Sequence, residues 1–148
     1  MNDSGCYQLL IYLDSSKAIQ IGKLGEFYFP QGYYVYTGSA MRGIVSRVSR
    51  HLSIINNSSK LADSYINEKN ISKVLHWHID FLLEHSYYIR YSSRVSRLKE
   101  ECEINSLTLS MTGASVVVKK FGSSDCKCIT HLVHFNECPD ILPVEIGN

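Results

Sequence analysis

Between Gly32 and His51 the chain collects residues whose types suit an anion. Gly32-Tyr33-Tyr34-Val35-Tyr36 is β-branched and aromatic and opens on a Pro30-Gln31-Gly32 turn, which predicts a strand. Alternation puts Tyr34 and Tyr36 on one face and Tyr33 and Val35 on the other. Thr37-Gly38-Ser39-Ala40 is small, so a ligand or a neighbouring strand can approach its backbone closely. Past Gly43, the spacing of Ile44, Val45, Val48, Leu52 and Ile55 predicts a helix. Arg47 and His51 stand four apart with Arg50 beside them, so that helix presents a cationic stripe near the strand end. No acidic residue occurs between Glu26 and Asp63. Such a place suits a phosphate, with Gly38, Ser39, Arg42, Arg47 and Arg50 as the groups to meet it. The bland alternative is a half-buried sheet strand beside a solvated helix face.

A second group is Asp125-Cys126-Lys127-Cys128-Ile129-Thr130-His131. Its Cys-x-Cys-x-x-His core offers three soft or borderline ligands, and Cys138 or Cys102 would complete a tetrahedral Zn²⁺ site. Cys-x-Cys is less diagnostic than Cys-x-x-Cys, and free cysteines are commonly just buried. Asp125, Cys126 and His131 lining a reaction cleft is the other reading, and the spacing alone does not choose. His76, Asp80 and Glu84 recur every four residues and read as the polar outer face of a helix. Five cysteines and six histidines also supply the parts of a Cys-His hydrolase, but nothing fixes a nucleophile or an oxyanion hole.

The elements that must position these groups read as an α+β fold: a small, mostly antiparallel (mixed) sheet with flanking helices. With 148 residues and 45% hydrophobic content, one domain over residues 1–148 is expected, ending in a tail from about Pro139. Gln8 to Leu13 is a strand too apolar to be solvated on both faces. Ala18 to Ile21 pairs back on it, and Glu26 to Phe29 is a short extended piece. The stretch from Lys60 to Asn70 is polar and poorly periodic and reads as a loop or a frayed helix. A helix is expected from Ser72, its N-cap, to His85, with Val74, Trp77, Phe81 and Leu82 on its apolar face. Strands are expected at Tyr87 to Ser92, Ser115 to Phe121 and Ile129 to Phe135, with a helix through Glu100 to Glu103. The net charge of +1 excludes a globally basic binder, so any nucleic-acid contact must come from a local patch. Short apolar runs, no basic leader and an odd cysteine count point to a soluble, cytoplasmic protein with no membrane partner.

Gly5-Cys6-Tyr7 and Tyr36-Thr37-Gly38, in that order, resemble the paired elements that name the GIY-YIG nuclease superfamily. Arg47 and His51 fit the helix that follows, with one residue inserted before Arg47 and Cys6 in place of isoleucine. Tyr34 to Ala40, Arg50-His51, Trp77-His78-Ile79-Asp80 and the run from Phe121 to Leu132 more narrowly resemble a prokaryotic branch. That branch occurs alone or fused to endonuclease III-type repair glycosylases. The resemblance implies hydrolysis of nucleic-acid phosphodiesters with one Mg²⁺ or Mn²⁺, on DNA before RNA, in DNA repair. It implies Tyr7 as the group that deprotonates water, Tyr36 as its orienter, Arg47 as the cation on the phosphoryl charge and His51 in support. Glu101 becomes the metal ligand, with Glu103 as the alternative. Two rivals remain: a non-cleaving module that grips backbone phosphate, and a docking partner of DNA-repair enzymes. Only the enzyme requires Glu101 and a divalent ion.

Overall fold

The computed structural model describes residues 3–59 and 75–142. The expected loop or frayed helix at 60–70, the N-cap at Ser72, the apolar Val74 and the tail beyond Leu142 lie outside the described residues. Strands β1 (Gly5–Leu13), β2 (Lys17–Ile21), β3 (Gly25–Phe29) and β4 (Gly32–Ala40) precede helix α1 (Ile44–Ser59). Then come α2 (His78–Leu83), β5 (Tyr87–Val95), α3 (Glu101–Leu109) and β6 (Leu132–Phe135). The main sheet runs β5-β1-β4-β6, and β2 and β3 form a separate hairpin. Every strand pairing among the described residues is antiparallel. The fold is α+β.

β1 is central, so both its faces are covered and only Tyr12 of its residues escapes full burial. Leu9, Ile11, Leu13, Tyr34 and Leu132 face a core completed by α1, α2 and the β2–β3 hairpin. Leu10, Val35, Val133 and Phe135 face the other way, toward Leu109 at the end of α3. Each fully buried Leu or Ile contributes about 1.5–3 kcal/mol. A one-residue slip of β4 would turn its whole buried set to the wrong side and replace Tyr36 with Thr37, so the register is strongly specified. Gly5 serves the β1–β5 contact: a Cβ there would lie 2.1 Å from the Arg94 carbonyl oxygen. Asp3 starts α1 from a distance, its backbone carbonyl accepting from Ile44 N–H (3.0 Å) and its carboxylate from Val45 N–H (3.0 Å).

Several expectations fail locally. Ala18 to Ile21 does not pair back on β1, whose two edges are taken by β4 and β5; it pairs with β3 instead. Ser115 to Phe121 is not a strand: only Ser115 bridges to His134 at the free edge of β6. Lys120 then takes a left-handed φ of 66°, and its N–H reaches back to the Ile129 carbonyl. Val118 and Phe121 drop into the core instead. The valine run supplies β propensity, but among the described residues no second strand lies beyond β6 to pair with it. The last strand is likewise confined to Leu132–Phe135, because His131 donates its N–H to Phe121 and Ile129 is exposed. The helix expected from Ser72 begins only at His78. There the Asp80 carboxylate accepts from His76 N–H (2.6 Å) and Trp77 N–H (2.8 Å), the reciprocal half of a capping box. His76, Asp80 and Glu84 therefore form no polar outer face; Asp80 is fully buried. Among the described residues no helix is long and apolar enough to cross a membrane.

Candidate active cleft

The register of β1 and β4 sets Tyr7 opposite Gly38 and Leu9 opposite Tyr36. Tyr7 and Tyr36 thus share the face covered by α1, with ring centroids 6.3 Å apart. Gly38 is glycine for a steric reason. A Cβ there would stand 2.7 Å from Tyr7 Oη and 2.8 Å from its Cζ. The Tyr7 ring occupies the space that a side chain at position 38 would need.

α1 delivers the next two groups. His51 turns inward, 1% exposed, with Nε2 2.7 Å from Tyr7 Oη. Burial holds it down at about 4, with Arg50 and Arg47 adding to the effect and Asp80 opposing it. A neutral ring whose Nε2 accepts from Tyr7 carries its proton on Nδ1, and that atom has no partner among the described residues. His51 is therefore not part of a cationic stripe on α1, because burial removes its charge. Tyr7 is itself pushed well above the ordinary tyrosine value by burial. Tyr36 reinforces that rise, and Arg47 opposes it by charge and by a hydrogen bond. Burial also raises Tyr36, with Arg47 again opposing and Asp80, Glu101 and Asp125 adding to the rise.

Arg47 is held in place by the Ser39 carbonyl, which accepts from Nη1 at 3.1 Å, and by the Trp77 ring, 4.4 Å from its guanidinium carbon. Arg50 rests on the same ring at 4.2 Å and donates two 2.9 Å hydrogen bonds to Asp80. Asp80 thus fixes Arg50, the start of α2 and, through both, Trp77.

A cleft of about 300 Å³ opens beside these groups. Tyr36, Gly38, Ser39 and Arg47 line it from β4 and α1; Glu101, Asp125 and His131 line it from α3 and the segment before β6. Trp77 and its flanking histidines complete it, and His78 Nδ1 accepts from Gly122 N–H at 2.8 Å. Burial lowers the His78 pKa. Tyr7 and His51 sit behind Tyr36 and do not line the cleft. Arg42 is exposed in the turn between β4 and α1, and Glu103 is exposed outside the cleft. Trp77 and His78 are cleft residues; helical periodicity assigns Trp77 to an apolar face and gives His78 no role. The Trp77-His78-Ile79-Asp80 run was the signal that could have found them.

Glu101 is placed by what surrounds the start of α3. Cys6 Sγ accepts from Glu100 N–H at 3.3 Å, and Glu100 pairs with Arg94 at 3.0 Å without the alignment of a hydrogen bond. Inside the helix, Asn105 Nδ2 donates to the Thr130 carbonyl at 2.6 Å. Next to Glu101, Cys102 joins Cys126, Cys128 and His131, and their ligating atoms all lie within 4.8 Å of one another. Burial and the neighbouring thiols push Cys102 up; burial also raises Cys128. Burial lowers His131, against Glu101, Asp125 and a hydrogen bond with the Thr37 backbone. This Cys/His cluster can hold a metal ion. Cys102 completes it rather than Cys138, which is exposed and outside it.

No curated protein and no solved structure matches the chain. A family model described as "Domain of unknown function DUF123" matches residues 6–144. The chain belongs to that family.

Proposed function

We propose that the chain is a GIY-YIG-type endonuclease that hydrolyses nucleic-acid phosphodiesters with one Mg²⁺ or Mn²⁺. The reading extends to DNA before RNA, to work in DNA repair alongside other repair proteins, and to the cytoplasm. The observation that carries it is one constellation: Tyr7 hydrogen-bonded to His51, with Tyr36, Arg47 and Glu101 gathered at the adjoining cleft. The likeness to the GIY-YIG elements supports the same roles.

Glu101 would hold the divalent ion, which supplies Lewis-acid polarisation of the phosphoryl group when bound. Its carboxylate, with Asp125 in the same cleft, suits a hard cation that keeps several waters. The chain's own residues do the rest. Arg47, held by Ser39 and Trp77, offers a planar fork to a phosphate, where charge develops during in-line attack. Tyr36 stays protonated and donates a hydrogen bond to the attacking water or to phosphate. Tyr7, which does not line the cleft, would take the proton from the attacking water through an intervening chain of hydrogen bonds and pass its own to His51 Nε2. In the free protein, burial resists charge on both partners. A bound phosphodiester places negative charge beside Arg47, which favours an imidazolium at His51.

The burial of Tyr7 and His51 away from the cleft favours a second reading, a binding module that grips phosphate without cutting it. One experiment separates them. Labelled single-stranded, duplex, flapped and abasic DNA and RNA are incubated with Mg²⁺, Mn²⁺ or EDTA. Wild type, Glu101→Gln and Arg47→Ala are compared, and salt-dependent binding is measured in parallel. The enzyme predicts metal-dependent cutting that Glu101→Gln loses and that Arg47→Ala lowers on the order of a thousandfold. Salt-sensitive binding without cutting, equal in wild type and Glu101→Gln, establishes the module instead.

A further inference from the structure

We propose that Cys102, Cys126, Cys128 and His131 bind a structural Zn²⁺ that ties the start of α3 to the segment before β6. The donor set is Cys₃His, four ligands of the type that close a tetrahedral zinc shell. The geometry agrees with the chemistry. Bonds of about 2.3 Å to sulfur and about 2.0 Å to nitrogen give tetrahedral S···N edges of roughly 3.6 Å. The distances from His131 Nε2 to Cys126 Sγ and Cys102 Sγ are 3.5 and 3.7 Å. Three of the five cysteines converge here from two separate parts of the chain, and none forms a disulfide. Of the other two, Cys6 accepts a backbone hydrogen bond and Cys138 bonds locally to Pro139.

The surroundings fit a metal ligand as well. His131 is 2% exposed with Nε2 toward the thiols, and its backbone N–H is tied to the Phe121 carbonyl at 2.8 Å. The Thr37 N–H, in turn, bonds the His131 carbonyl at 3.1 Å, which ties the cluster to β4. Four protein ligands leave no open position, so the ion is structural and distinct from a catalytic one at Glu101.

Its effect on the cleft follows from the chain. Glu101 directly precedes Cys102, Asp125 directly precedes Cys126, and His131 belongs to both the cluster and the cleft lining. The zinc would therefore fix the two cleft carboxylates relative to β4. This consequence deepens the nuclease reading, but the zinc itself does not depend on it.

Metal content is measured by mass spectrometry on protein from zinc-supplemented cells, followed by Co²⁺ replacement and visible spectroscopy. The expected result is about one zinc per chain, with thiolate-to-Co²⁺ charge transfer and tetrahedral d–d bands in the replaced protein. Cys126→Ser and Cys128→Ser should retain less than about a tenth as much zinc. Cys138→Ser should retain all of it, and His131→Cys, which keeps a fourth ligand, should keep most. Hydrogen exchange on wild type stripped of zinc should quicken at least about tenfold over 101–104 and 122–131 but not in β1. Zinc-free wild type, retention by Cys126→Ser, or unchanged exchange on stripping overturns the proposal. None of these readouts requires cleavage, so loss of the nuclease reading would leave the zinc result standing.

Discussion

Neutral His51 should make the protein lose stability on mild acidification, and His51→Gln should remove that loss. The ring is held at about 4 in the folded chain against 6.5 when free. Between those values the unfolded chain binds a proton that the folded chain refuses, so unfolding is favoured as pH falls. The contribution is fully present above about 6.5, declines through the interval and is gone below about 4. From 6.5 to about 4 is roughly 2.5 pH units, or about 3 kcal/mol at ~1.4 kcal/mol per unit. Nothing else on α1 compensates, since Arg47 and Arg50 push in the same direction as burial and only Asp80 opposes. Urea unfolding at steps from pH 4.5 to 8, on wild type and His51→Gln, reads the difference directly. His78, His85 and His131 are also lowered by burial and Glu84 is raised, but those groups are common to both proteins and cancel. The stability difference should close by about 2–3 kcal/mol between pH 8 and 4.5. A difference constant to within about 0.5 kcal/mol, or a His51 resonance titrating near 6.5, would refute the buried neutral ring.

Two other substitutions probe the architecture around it. Gly38→Ala places a Cβ 2.7 Å from Tyr7 Oη, with Tyr7 locked by His51, and should cost about 1–3 kcal/mol. Thermal melting should fall by several degrees, at about 2–4 °C per kcal/mol for a chain of this size, and an unchanged melt would contradict the close packing. Asp80→Ala removes one partner of Arg50 and the acceptor of two backbone N–H groups, and should destabilise by about 2–4 kcal/mol. Trp77 fluorescence should change with it; native stability together with an unaltered spectrum would show that Asp80 does not organise the Trp77 site.

Much of the sheet was legible because local pattern and tertiary partner agree. β1 is an apolar run that finds cover on both faces, and the alternation of Tyr33 to Tyr36 matches the pleat of β4. Where partner and pattern disagree, reading failed. The valines before Phe121 look like a strand, yet beyond Ser115 the edge of β6 offers them no ladder. Trp77 and Asp80 fit a helical face, but the carboxylate instead ends the extended chain by taking its N–H groups. The same limit applies to the site. Arg47, Arg50 and His51 form one stripe by spacing, and long-range contacts divide them into a cleft cation, a buried ion pair and a neutral acceptor. Spacing encodes which residues share a helix face; it does not encode what arrives opposite them.

The second face of the sheet bears on the chemistry for the same reason. β4 and α1 hold Arg47 and Tyr36, while Glu101 comes from a helix packed on the other side of β4. Relative placement of the cation and the carboxylate therefore depends on contacts that pass around the sheet edge. Cys6 takes the Glu100 N–H from β1, Asn105 takes the Thr130 carbonyl, and Gln8 joins Thr37 of β4 to Thr108 of α3 at 3.0 and 2.7 Å. The Cys6 and Thr108 bonds hold α3 against β1, and the Asn105 bond ties it to the segment before β6. The Gln8–Thr37 bond links β1 to β4, and none of these residues lines the cleft. A carboxylate on a lone helix end would wander by more than the roughly 0.5 Å that a metal or phosphate site tolerates. Cysteine at position 6 is then a positioning residue: a larger apolar side chain there would fill the core yet leave the Glu100 N–H without its sulfur acceptor.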